Sequence, residues 1–544
     1  MIVLALLSVV VIAGVAWWCG RMGKGELAVA ARALAHPLVA PVLGVVSACL
    51  VWASWGSVHP IPLVHDEIAY VLQAEIFARG AWTAVAPPIA AFFEQAHVLV
   101  TPRVAAKYPP GHAVMLMPGA LVGWLALMPL LMHAVTGALV FALARRAAGG
   151  AVALLTWALW TAAPGSFIWG ASYFSENTTA LCWLAGWWAL LRWKEDGDRR
   201  WLLLLAAATG WGAITRPLTM LAFAVPVGAV VIARLHGRKA LRELALPIML
   251  GVAILALIPL WSARTTGDWR TTPLAAYTRD YMPWDKPGFG FDATPARRPV
   301  PPDVAGLAGY FGREHARHVP GALPGALAAR VVELERSVLG TPTRLLWPFT
   351  IAGLLVLDAA TAFAAGSALL LLLAYLSYAT PATWTLYYVE IFPVIALLTA
   401  LGMAAMARAI ANRARGRMER GWAAVTAPLL LGTLAYMLVI PRAEGVARAR
   451  RASSEGYLAD FFHLLEQLPR TPAIVFVRDG PQHNADVSLV RNSADPAREP
   501  VWLARDRGDD ENRRLMRAAP TRATYLYDEG TLTLREYLAP AMPR

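Results

Sequence analysis

Two adjacent carboxylates, Asp66 and Glu67, come directly after an apolar block of the sequence. A carboxylate in such a place suits the removal of a proton from a hydroxyl group that attacks an electrophilic carbon. Both residues also open a stretch whose apolar residues recur at helical spacing as far as Gly80, and this spacing predicts an interfacial amphipathic helix. Asp66 as an N-cap and Glu67 as a first-turn acid explain the pair equally well.

Further charged and aromatic residues follow before the next apolar block. Glu94 comes after two phenylalanines, and Arg103 and Lys107 precede a Tyr-Pro-Pro-Gly segment at 108–111 that leads to His112. A tight Pro-Pro-Gly turn is expected to place Lys107 and His112 beside Asp66. A solvated loop is the ordinary explanation for any one of these residues, so the prediction depends on the group.

The composition indicates where these residues must be held. Of 544 residues, 57% are hydrophobic and only 16% are charged, and the apolar residues form long blocks. This pattern predicts an all-α polytopic membrane protein and excludes a disordered chain, a secreted disulfide scaffold and a cytosolic enzyme. The net charge of +13 comes from arginines in the loops and the tail, which favours a role in membrane topology over nucleic-acid binding.

About twelve spans are predicted from blocks of roughly 17–25 apolar residues. They are 2–18, 38–58, 121–143, 151–169, 176–191, 200–215, 218–233, 244–262, 343–357, 360–378, 388–407 and 421–440. The basic loops then fall on one side, the cytoplasmic one, and leave the loops 59–110 and 263–342 outside. The three predicted regions are an N-terminal helix and cytoplasmic loop (1–37), a membrane module (38–441) and an extracytoplasmic α/β domain (442–544).

The tail and the second outer loop have their own patterns. Short apolar runs at Ala473–Val477, Val501–Ala504 and Thr524–Tyr527 predict strands, and Tyr457–Leu468 has the spacing of an amphipathic helix. The loop 263–342 is rich in aromatic residues and prolines, which predicts a lid or an acceptor platform, although packing on a lipid surface would need the same aromatics.

Arg216 interrupts an apolar block next to Pro217, so the segment 200–233 forms either two short helices or one kinked helix. An arginine inside such a block is costly unless it faces a cavity or snorkels to the interface. A cation at this place suits contact with a lipid-linked phosphate.

The order of these motifs resembles the polytopic GT-C glycosyltransferases, and more narrowly the family 39-like branch of protein mannosyltransferases and aminoarabinose transferases. The resemblance covers roughly residues 38–410. The segments that carry it are the Asp66-Glu67 pair, the Phe93-Glu94 element, 108–111, Ser172–Glu176, Thr215–Pro217 and Tyr387-Tyr388. The residue after Glu94 is Gln95, where the aminoarabinose transferases have lysine, so that substrate is not carried over.

The resemblance implies transfer of a sugar, with inversion, from a polyprenyl-phosphate donor to a lipid, glycan or protein acceptor on the outer face of a bacterial inner membrane. Asp66 matches the loop aspartate expected to act as the base. The other implied roles are catalysis for Glu67 and Glu94, donor phosphate binding for Lys107, Arg103 and Arg216, acceptor or sugar contacts for His65, His112, Tyr281 and Trp284, and a divalent metal cation on Asp66 and Glu94.

Three other classes of protein are alternatives to a glycosyltransferase. A secondary transporter would place charges near the bilayer midplane in paired broken helices, and a zinc hydrolase would carry a His-Glu-x-x-His motif. A non-catalytic scaffold for envelope glycan assembly has no reason to gather Asp66, Glu94 and Lys107 at one interface. A polysaccharide polymerase or ligase is the nearest enzymatic rival, since it differs in its acceptor.

Overall fold

The computed structural model describes residues 32–235, 237–340, 346–413, 442, 445–449, 455–495 and 498–538. The predicted spans 2–18 and 421–440 lie outside these ranges. The helices of the membrane part are α1 (Val39–Trp55), α2 (His65–Ala78), α3 (Gly111–Leu121), α4 (Leu127–Ala148), α5 (Gly150–Ala162), α6 (Pro164–Gly170), α7 (Glu176–Asp196), α8 (Arg199–Ala213), α9 (Pro217–Arg234), α10 (Gly237–Leu255), α11 (Leu257–Thr266), α12 (Pro273–Tyr281), α13 (Ala305–Arg317), α14 (Leu323–Val338), α15 (Trp347–Leu354), α16 (Ala359–Ala374) and α17 (Phe392–Arg413).

Five described segments are helical, long and apolar enough to cross a bilayer: Leu127–Ala148, Pro217–Arg234, Arg242–Thr266, Ala359–Ser377 and Thr385–Met406. A sixth span arises if α5 and α6, which meet at a bend of 61°, are taken together. In the predicted span 343–357, the described residues 346–357 include the 8-residue helix α15. The helical membrane architecture is therefore confirmed, whereas the number of spans stays a prediction.

The break predicted at Arg216 separates two helices. Helix α8 ends at Ala213 and α9 begins at Pro217, where proline is well suited to the first helical turn because its missing N–H is not needed there. The backbone between them places Arg216 at the N-terminal end of α9. Two helices, rather than one kinked helix, therefore occupy 200–233.

The first outer loop is compact. Helix α2 is followed by strands β1 (Ala84–Val85), β2 (Val98–Leu99) and β3 (Arg103–Ala106), which form an antiparallel sheet in the order β1-β3-β2. Helix α2 ends as predicted before Gly80, whose positive φ of +74° suits a glycine. The prediction of an amphipathic surface helix is wrong, because α2 is buried on all faces from Ile68 to Ala74.

The second outer loop contains more helix than its prolines suggest. Helices α12, α13 and α14 occupy nearly half of it, and an irregular stretch without helix or strand runs from 282 to 301. Phe289 and Phe291 in this stretch are half exposed. Prolines at the first turns of α12 and α14 are compatible with helix formation, which is why a Pro-rich sequence folds this way.

The tail forms a four-stranded sheet with the predicted strands. Strands β4 (Ala473–Arg478), β5 (Val501–Arg505), β6 (Ala523–Asp528) and β7 (Thr533–Glu536) lie in the order β5-β4-β6-β7, flanked by helices α18 (Gly456–Glu466) and α19 (Asp509–Ala518). Strand β4 is parallel to both β5 and β6, whereas β7 is antiparallel to β6. A central parallel strand is covered on both faces, and this explains the continuous apolar run of β4.

The C-terminal sheet shares a hydrophobic core with the first outer loop. Phe92 packs edge-on against Phe476 of β4 at a ring separation of 6.1 Å, and Phe93 packs against Trp502 of β5 at 5.6 Å. Buried residues of α2, including Leu72 and Ile76, belong to the same cluster. The sheet and the membrane helices therefore hold α2 between them, and this contact buries a helix that the sequence alone places on a surface.

Candidate active site

Glu67 fixes the start of α2. Its Oε2 accepts hydrogen bonds from the backbone N–H of Leu63 at 2.7 Å and of Val64 at 3.4 Å. Its Oε1 accepts the backbone N–H of Tyr173 at 2.9 Å, so the carboxylate also joins α2 to the turn before α7. Both oxygens are occupied by backbone donors and the residue is buried, which gives Glu67 a positioning role in place of the predicted catalytic one.

Asp66, the residue before Glu67, is more exposed and has different hydrogen-bond partners. Its side chain is 36% exposed, and its Oδ2 lies 3.6 Å from Nε2 of His97. Its Oδ1 accepts a short hydrogen bond from the Tyr108 hydroxyl. Asp66 therefore keeps acceptor capacity toward solvent while two neighbours hold its orientation, as a general base requires.

The two neighbours of Asp66 are held in defined protonation states. Burial and the Asp66 carboxylate raise the pKa of Tyr108 well above its ordinary value. The phenol therefore keeps its proton and donates a hydrogen bond to Asp66. Burial and the nearby Lys107 ammonium hold the pKa of His97 well below its ordinary value, so the imidazole is neutral at pH 7. Tyr108 is therefore a hydrogen-bond donor to Asp66, and His97 is an uncharged neighbour of it.

Lys107 shares a neighbour with Asp66, because the Tyr108 side chain contacts both residues. Its ammonium is 5.0 Å from the centre of the Tyr277 ring and 5.3 Å from that of Tyr108, and 3.8 Å from Oδ2 of Asp285. Within the described part of the chain, Nζ donates no hydrogen bond, because 3.8 Å is too long for one. The lysine thus carries a positive charge whose donors are available to an anion. We call Asp66, His97, Lys107, Tyr108, Tyr277 and Asp285 the Asp66 cluster.

Arg216 belongs to a second group. Its guanidinium pairs with the carboxylate of Glu176, donates to the Tyr375 hydroxyl at 2.9 Å and lies 4.9 Å from the centre of the Tyr387 ring. Glu176 and Arg216 have side-chain exposures of only 2% and 13%. A buried pair of this kind needs hydrogen bonds on both members, and Ser175 supplies one to Glu176 at 3.2 Å. We call Ser175, Glu176, Arg216, Tyr375, Tyr387 and Glu390 the Arg216 cluster.

Aromatic residues connect the two clusters at two places. The Tyr70 ring stacks on Tyr108 at 4.5 Å, and its hydroxyl donates to Ser175 Oγ at 3.0 Å. On the other side, the Tyr378 hydroxyl donates to Asp285, and its ring lies 6.2 Å from that of Tyr387. The candidate base and both main candidate cations, Lys107 and Arg216, therefore belong to one continuous polar and aromatic network.

Glu94 and Tyr281 form a neighbouring contact. The Tyr281 hydroxyl donates to Oε1 of Glu94 at 3.2 Å, and Arg298 lies 3.8 Å from the same oxygen. Burial, followed by the charge of Glu94, raises the pKa of Tyr281 to about 12, which keeps it a donor. The Tyr277 and Tyr281 rings, tilted by 32° with centres 4.8 Å apart, connect this contact to the Asp66 cluster.

The structure places four other predicted residues in structural contacts. Both ring nitrogens of His112 are bonded at 2.8 Å, to Thr178 Oγ1 and the Tyr173 carbonyl, and His65 Nε2 is 2.7 Å from the Ala485 carbonyl. Trp284 packs against His315 and Phe291. Arg103 is exposed at the first position of β3, four residues before Lys107, about 13 Å along an extended strand. These positions do not support the predicted phosphate role of Arg103 or the acceptor role of His112.

Asp66 and Glu94 were predicted to share a divalent cation, and their contacts do not fit that role. Asp66 contacts Tyr108 and His97, whereas Glu94 contacts Tyr281 and Arg298. Among the described residues, the cluster that places three His, Asp or Glu ligand atoms close together lies in the C-terminal sheet. Neither carboxylate therefore has a complete ligand set within the described ranges.

Sequence reasoning missed His97, Asp285, Glu176 as the partner of Arg216, and Tyr378. His97 and Tyr277 are 180 positions apart in the sequence, and only the fold lets the backbone N–H of His97 donate to the Tyr277 hydroxyl at 3.0 Å. Asp285 directly follows Trp284, and its place in the Pro-rich loop gave no signal of a partner. The acid of Ser172–Glu176 was visible as a motif, but its pairing depends on the packing of α7 against α9.

Comparison with known proteins agrees with this architecture. Residues 114–262 match the family model of dolichyl-phosphate-mannose-protein mannosyltransferase. The crystal structure of ArnT from Cupriavidus metallidurans bound to undecaprenyl phosphate superposes with a TM-score of 0.50 at 16% identity, over 92% of this chain and 96% of that chain. The chain has the ArnT fold. The predicted resemblance to the GT-C glycosyltransferases of the family 39-like branch is confirmed.

A more distant structural match is the archaeal oligosaccharyltransferase AglB from Archaeoglobus fulgidus in complex with an inhibitory peptide and a dolichol-phosphate. It aligns with a TM-score of 0.37 at 12% identity, over 79% of this chain and 58% of that chain. No curated protein sequence matches the chain. The fold assignment accordingly depends on the ArnT structure, together with the family match over 114–262.

Proposed function

We propose that the protein is a membrane glycosyltransferase that moves a sugar from a polyprenyl-phosphate donor to an acceptor hydroxyl. The observation that carries this proposal is Asp66, an accessible carboxylate oriented by Tyr108 in the same aromatic network as Lys107 and Arg216. The ArnT fold supports the donor class, because that protein was crystallised with undecaprenyl phosphate. The match to a mannosyltransferase family over 114–262 supports the reaction class.

In the proposed reaction, Asp66 accepts the proton of the acceptor hydroxyl as its oxygen attacks C1 of the sugar. The new C1–O bond forms on the face opposite the phosphate, the bond between C1 and the phosphate oxygen breaks, and the configuration at C1 inverts. The bonding electrons leave with the polyprenyl phosphate. Tyr108 keeps the carboxylate in position, since its own proton stays on the phenol.

The departing phosphate needs positive charge at the place where its negative charge develops. Lys107 is the first candidate, because its ammonium contacts the Tyr108 ring, whose hydroxyl binds Asp66, and makes only a long contact with Asp285. Arg216 is the second candidate and already carries Glu176 as a counter-charge. We assign Lys107 to direct contact with the phosphate. We assign Arg216 to electrostatic stabilisation of the sugar-phosphate end of the donor without direct contact.

We propose that the reaction occurs on the extracytoplasmic face of a bacterial inner membrane. The support is the charge pattern, because the basic loops of the sequence fall on the opposite side from the loops 59–110 and 263–342 when the spans alternate. Polyprenyl-phosphate sugars on that face serve acceptors that are lipids, glycans or proteins. The sugar and the acceptor are to be identified by the experiment that follows.

The test is mass spectrometry of envelope lipids and glycans from a strain that lacks the protein. One glycosylated species is expected to disappear, to return with the wild-type chain, and to stay absent with Asp66→Asn at equal membrane abundance. Restoration by Asp66→Asn would contradict the assignment of Asp66 as the base. An unchanged lipid and glycan profile in the deletion strain would favour the transporter or scaffold alternatives instead.

A further inference from the structure

The C-terminal sheet changes its direction of winding at its central strand. Its central strand, β4, has β5 on one side and β6 on the other, and all three are parallel. The chain therefore passes from β4 to one side and then crosses to the other. In sheets of this kind, ligands bind outside the carboxyl ends of the strands where the direction of winding changes.

Three potential metal ligands lie at this edge. Asp479 directly follows β4, Glu529 directly follows β6, and His483 is in the loop after β4. One ligand atom from each lies within 4.8 Å of the other two. The Nδ1 atom of His483 is 2.9 Å from both carboxylate oxygens of Glu529. Two carboxylates and an imidazole thus meet at the place that the topology favours for a ligand.

The surrounding contacts hold these side chains in position. The backbone N–H of Gly480 and the Tyr457 hydroxyl each donate to Glu529 at 2.7 Å. Gly480 packs directly on the backbone of Gly530, since a Cβ atom at Gly480 would lie 2.9 Å from the Gly530 nitrogen. The two loops therefore approach more closely than any other residue would allow, and partners that orient metal ligands are a regular feature of metal sites.

An unsatisfied nitrogen gives an independent indication of a missing ligand. The His483 and Glu529 side chains are each only 8% exposed, and Nε2 of His483 is buried without a hydrogen-bond partner among the described residues. Buried imidazole nitrogens are normally paired, so this one leaves the histidine incompletely satisfied between two acids. A cation bound by the imidazole would make use of a group that the protein itself leaves unsatisfied.

We propose that Asp479, His483 and Glu529 bind one divalent transition-metal cation, and that zinc is the ion their donor set fits. One nitrogen and two oxygen donors are a common zinc set, with a fourth position for water. The site is separate from Asp66 and does not depend on the proposed transfer reaction.

The test uses the full-length protein in detergent, treated with EDTA and exchanged into metal-free buffer. Titration with zinc chloride by calorimetry, with metal content measured after gel filtration, is expected to give one bound zinc per chain. His483→Gln and Glu529→Gln are expected to weaken binding by more than about 100-fold, above the range seen when only an outer-shell partner is lost. Zinc is also expected to raise the Tm of the wild type and not that of His483→Gln.

The matched control is His463→Gln. His463 lies 3.6 Å from Glu466 on the surface of α18, where both side chains are mostly exposed, so this variant removes a histidine near a carboxylate without affecting the proposed site. It is expected to bind zinc as the wild type does. If His483→Gln fails to fold, Asp479→Asn gives the same test at a side chain that is 25% exposed. Absence of zinc binding, or binding that survives in Asp479→Asn and His483→Gln, would overturn the proposal.

Discussion

The Asp66 cluster and the Arg216 cluster contain the same kinds of residue and differ in how their charges are compensated. Asp66 is 36% exposed and receives a hydrogen bond from a neutral phenol, whereas Glu176 is 2% exposed and pairs with a guanidinium. The Lys107 ammonium lies 3.8 Å from the Asp285 carboxylate, whereas the Arg216 guanidinium contacts the Glu176 carboxylate directly. The Asp66 cluster therefore keeps a carboxylate that can accept further hydrogen bonds, whereas the charges of the Arg216 cluster are paired with each other.

This difference follows from desolvation. A carboxylate and an arginine removed from water must satisfy each other, because an unpaired charge in a low-dielectric interior is strongly unfavourable. A carboxylate near solvent can keep free lone pairs and still be oriented by a single neutral donor. The comparison therefore predicts that loss of the Asp66 carboxylate mainly lowers turnover, whereas loss of the Glu176 counter-charge in the Arg216 cluster mainly lowers stability.

Asp66→Asn is expected to have the largest effect. An amide cannot accept the hydroxyl proton, so turnover should fall by about 10²–10⁴-fold, the range for loss of a general base. The measurement is transfer to the acceptor identified from the envelope profile, with Tm as a check on folding. Asp292→Asn, in the second outer loop where Asp292 pairs with Lys286, is the control and should keep wild-type turnover.

Glu67→Gln sharpens the same contrast at the adjacent position. It should lower Tm, because the backbone donors of Leu63 and Tyr173 lose a charged acceptor, while folded protein keeps its turnover. Equal loss of turnover in Asp66→Asn and Glu67→Gln, at unchanged Tm, would contradict the separation of roles.

Glu176→Gln is expected to have the largest effect on stability. It leaves the buried Arg216 guanidinium without its counter-charge, and breaking such a pair costs about 3–5 kcal/mol. Thermal unfolding in detergent measures the effect. The control is Glu195→Gln, because Glu195 pairs with Arg146 at a partly exposed position, where the cost is only about 0–1 kcal/mol. Equal shifts in Tm for the two variants would show that burial of the pair does not matter.

Lys107→Ala is expected to raise the apparent KM for the polyprenyl-phosphate donor by about tenfold, since a charge-assisted hydrogen bond contributes about 1.5–3 kcal/mol. The increase should exceed that seen in Asp66→Asn. Steady-state kinetics at varied donor concentration provides the measurement. Lys286→Ala removes a lysine that pairs with Asp292 in the second outer loop and serves as the control. An unchanged donor KM in Lys107→Ala would argue against phosphate contact.

Tyr108→Phe is expected to have the smallest effect. It removes the hydroxyl that orients Asp66 and keeps the ring that stacks on Tyr70, so turnover should fall by about three- to tenfold with little change in donor KM. Tyr310→Phe, at an exposed position of α13, is the control. A loss as large as that of Asp66→Asn would give the phenol a direct part in proton transfer.

The sequence predicted several features because they depend on local pattern. The end of α2 before Gly80, the break at Arg216 and three strands of the tail appear where glycine, proline or apolar runs place them, whereas the N-cap of α2 is Val64 and not Asp66. The candidate residues Asp66 and Lys107 were also accessible to sequence reasoning, because both flank apolar blocks. The partners that decide their behaviour were not.

Those partners come from distant parts of the chain. Asp285 reaches Lys107 from the second outer loop, and Tyr378 reaches Asp285 from the end of α16, so their contacts depend on how loops fold over the helices. The difference between Asp66 and Glu67 likewise depends on the backbone of Tyr173, more than 100 positions away in the sequence. No periodicity in the sequence records such a contact.

By itself, the sequence determined that this chain is a helical membrane protein with charged outer loops and an α/β tail, because hydrophobic blocks and turn residues act over a few neighbours. The tertiary structure decided how differently two adjacent carboxylates, Asp66 and Glu67, are paired, why α2 is buried, and where Asp479, His483 and Glu529 meet. Burial and pairing set these outcomes, and both are properties of packing between segments that are far apart in the sequence.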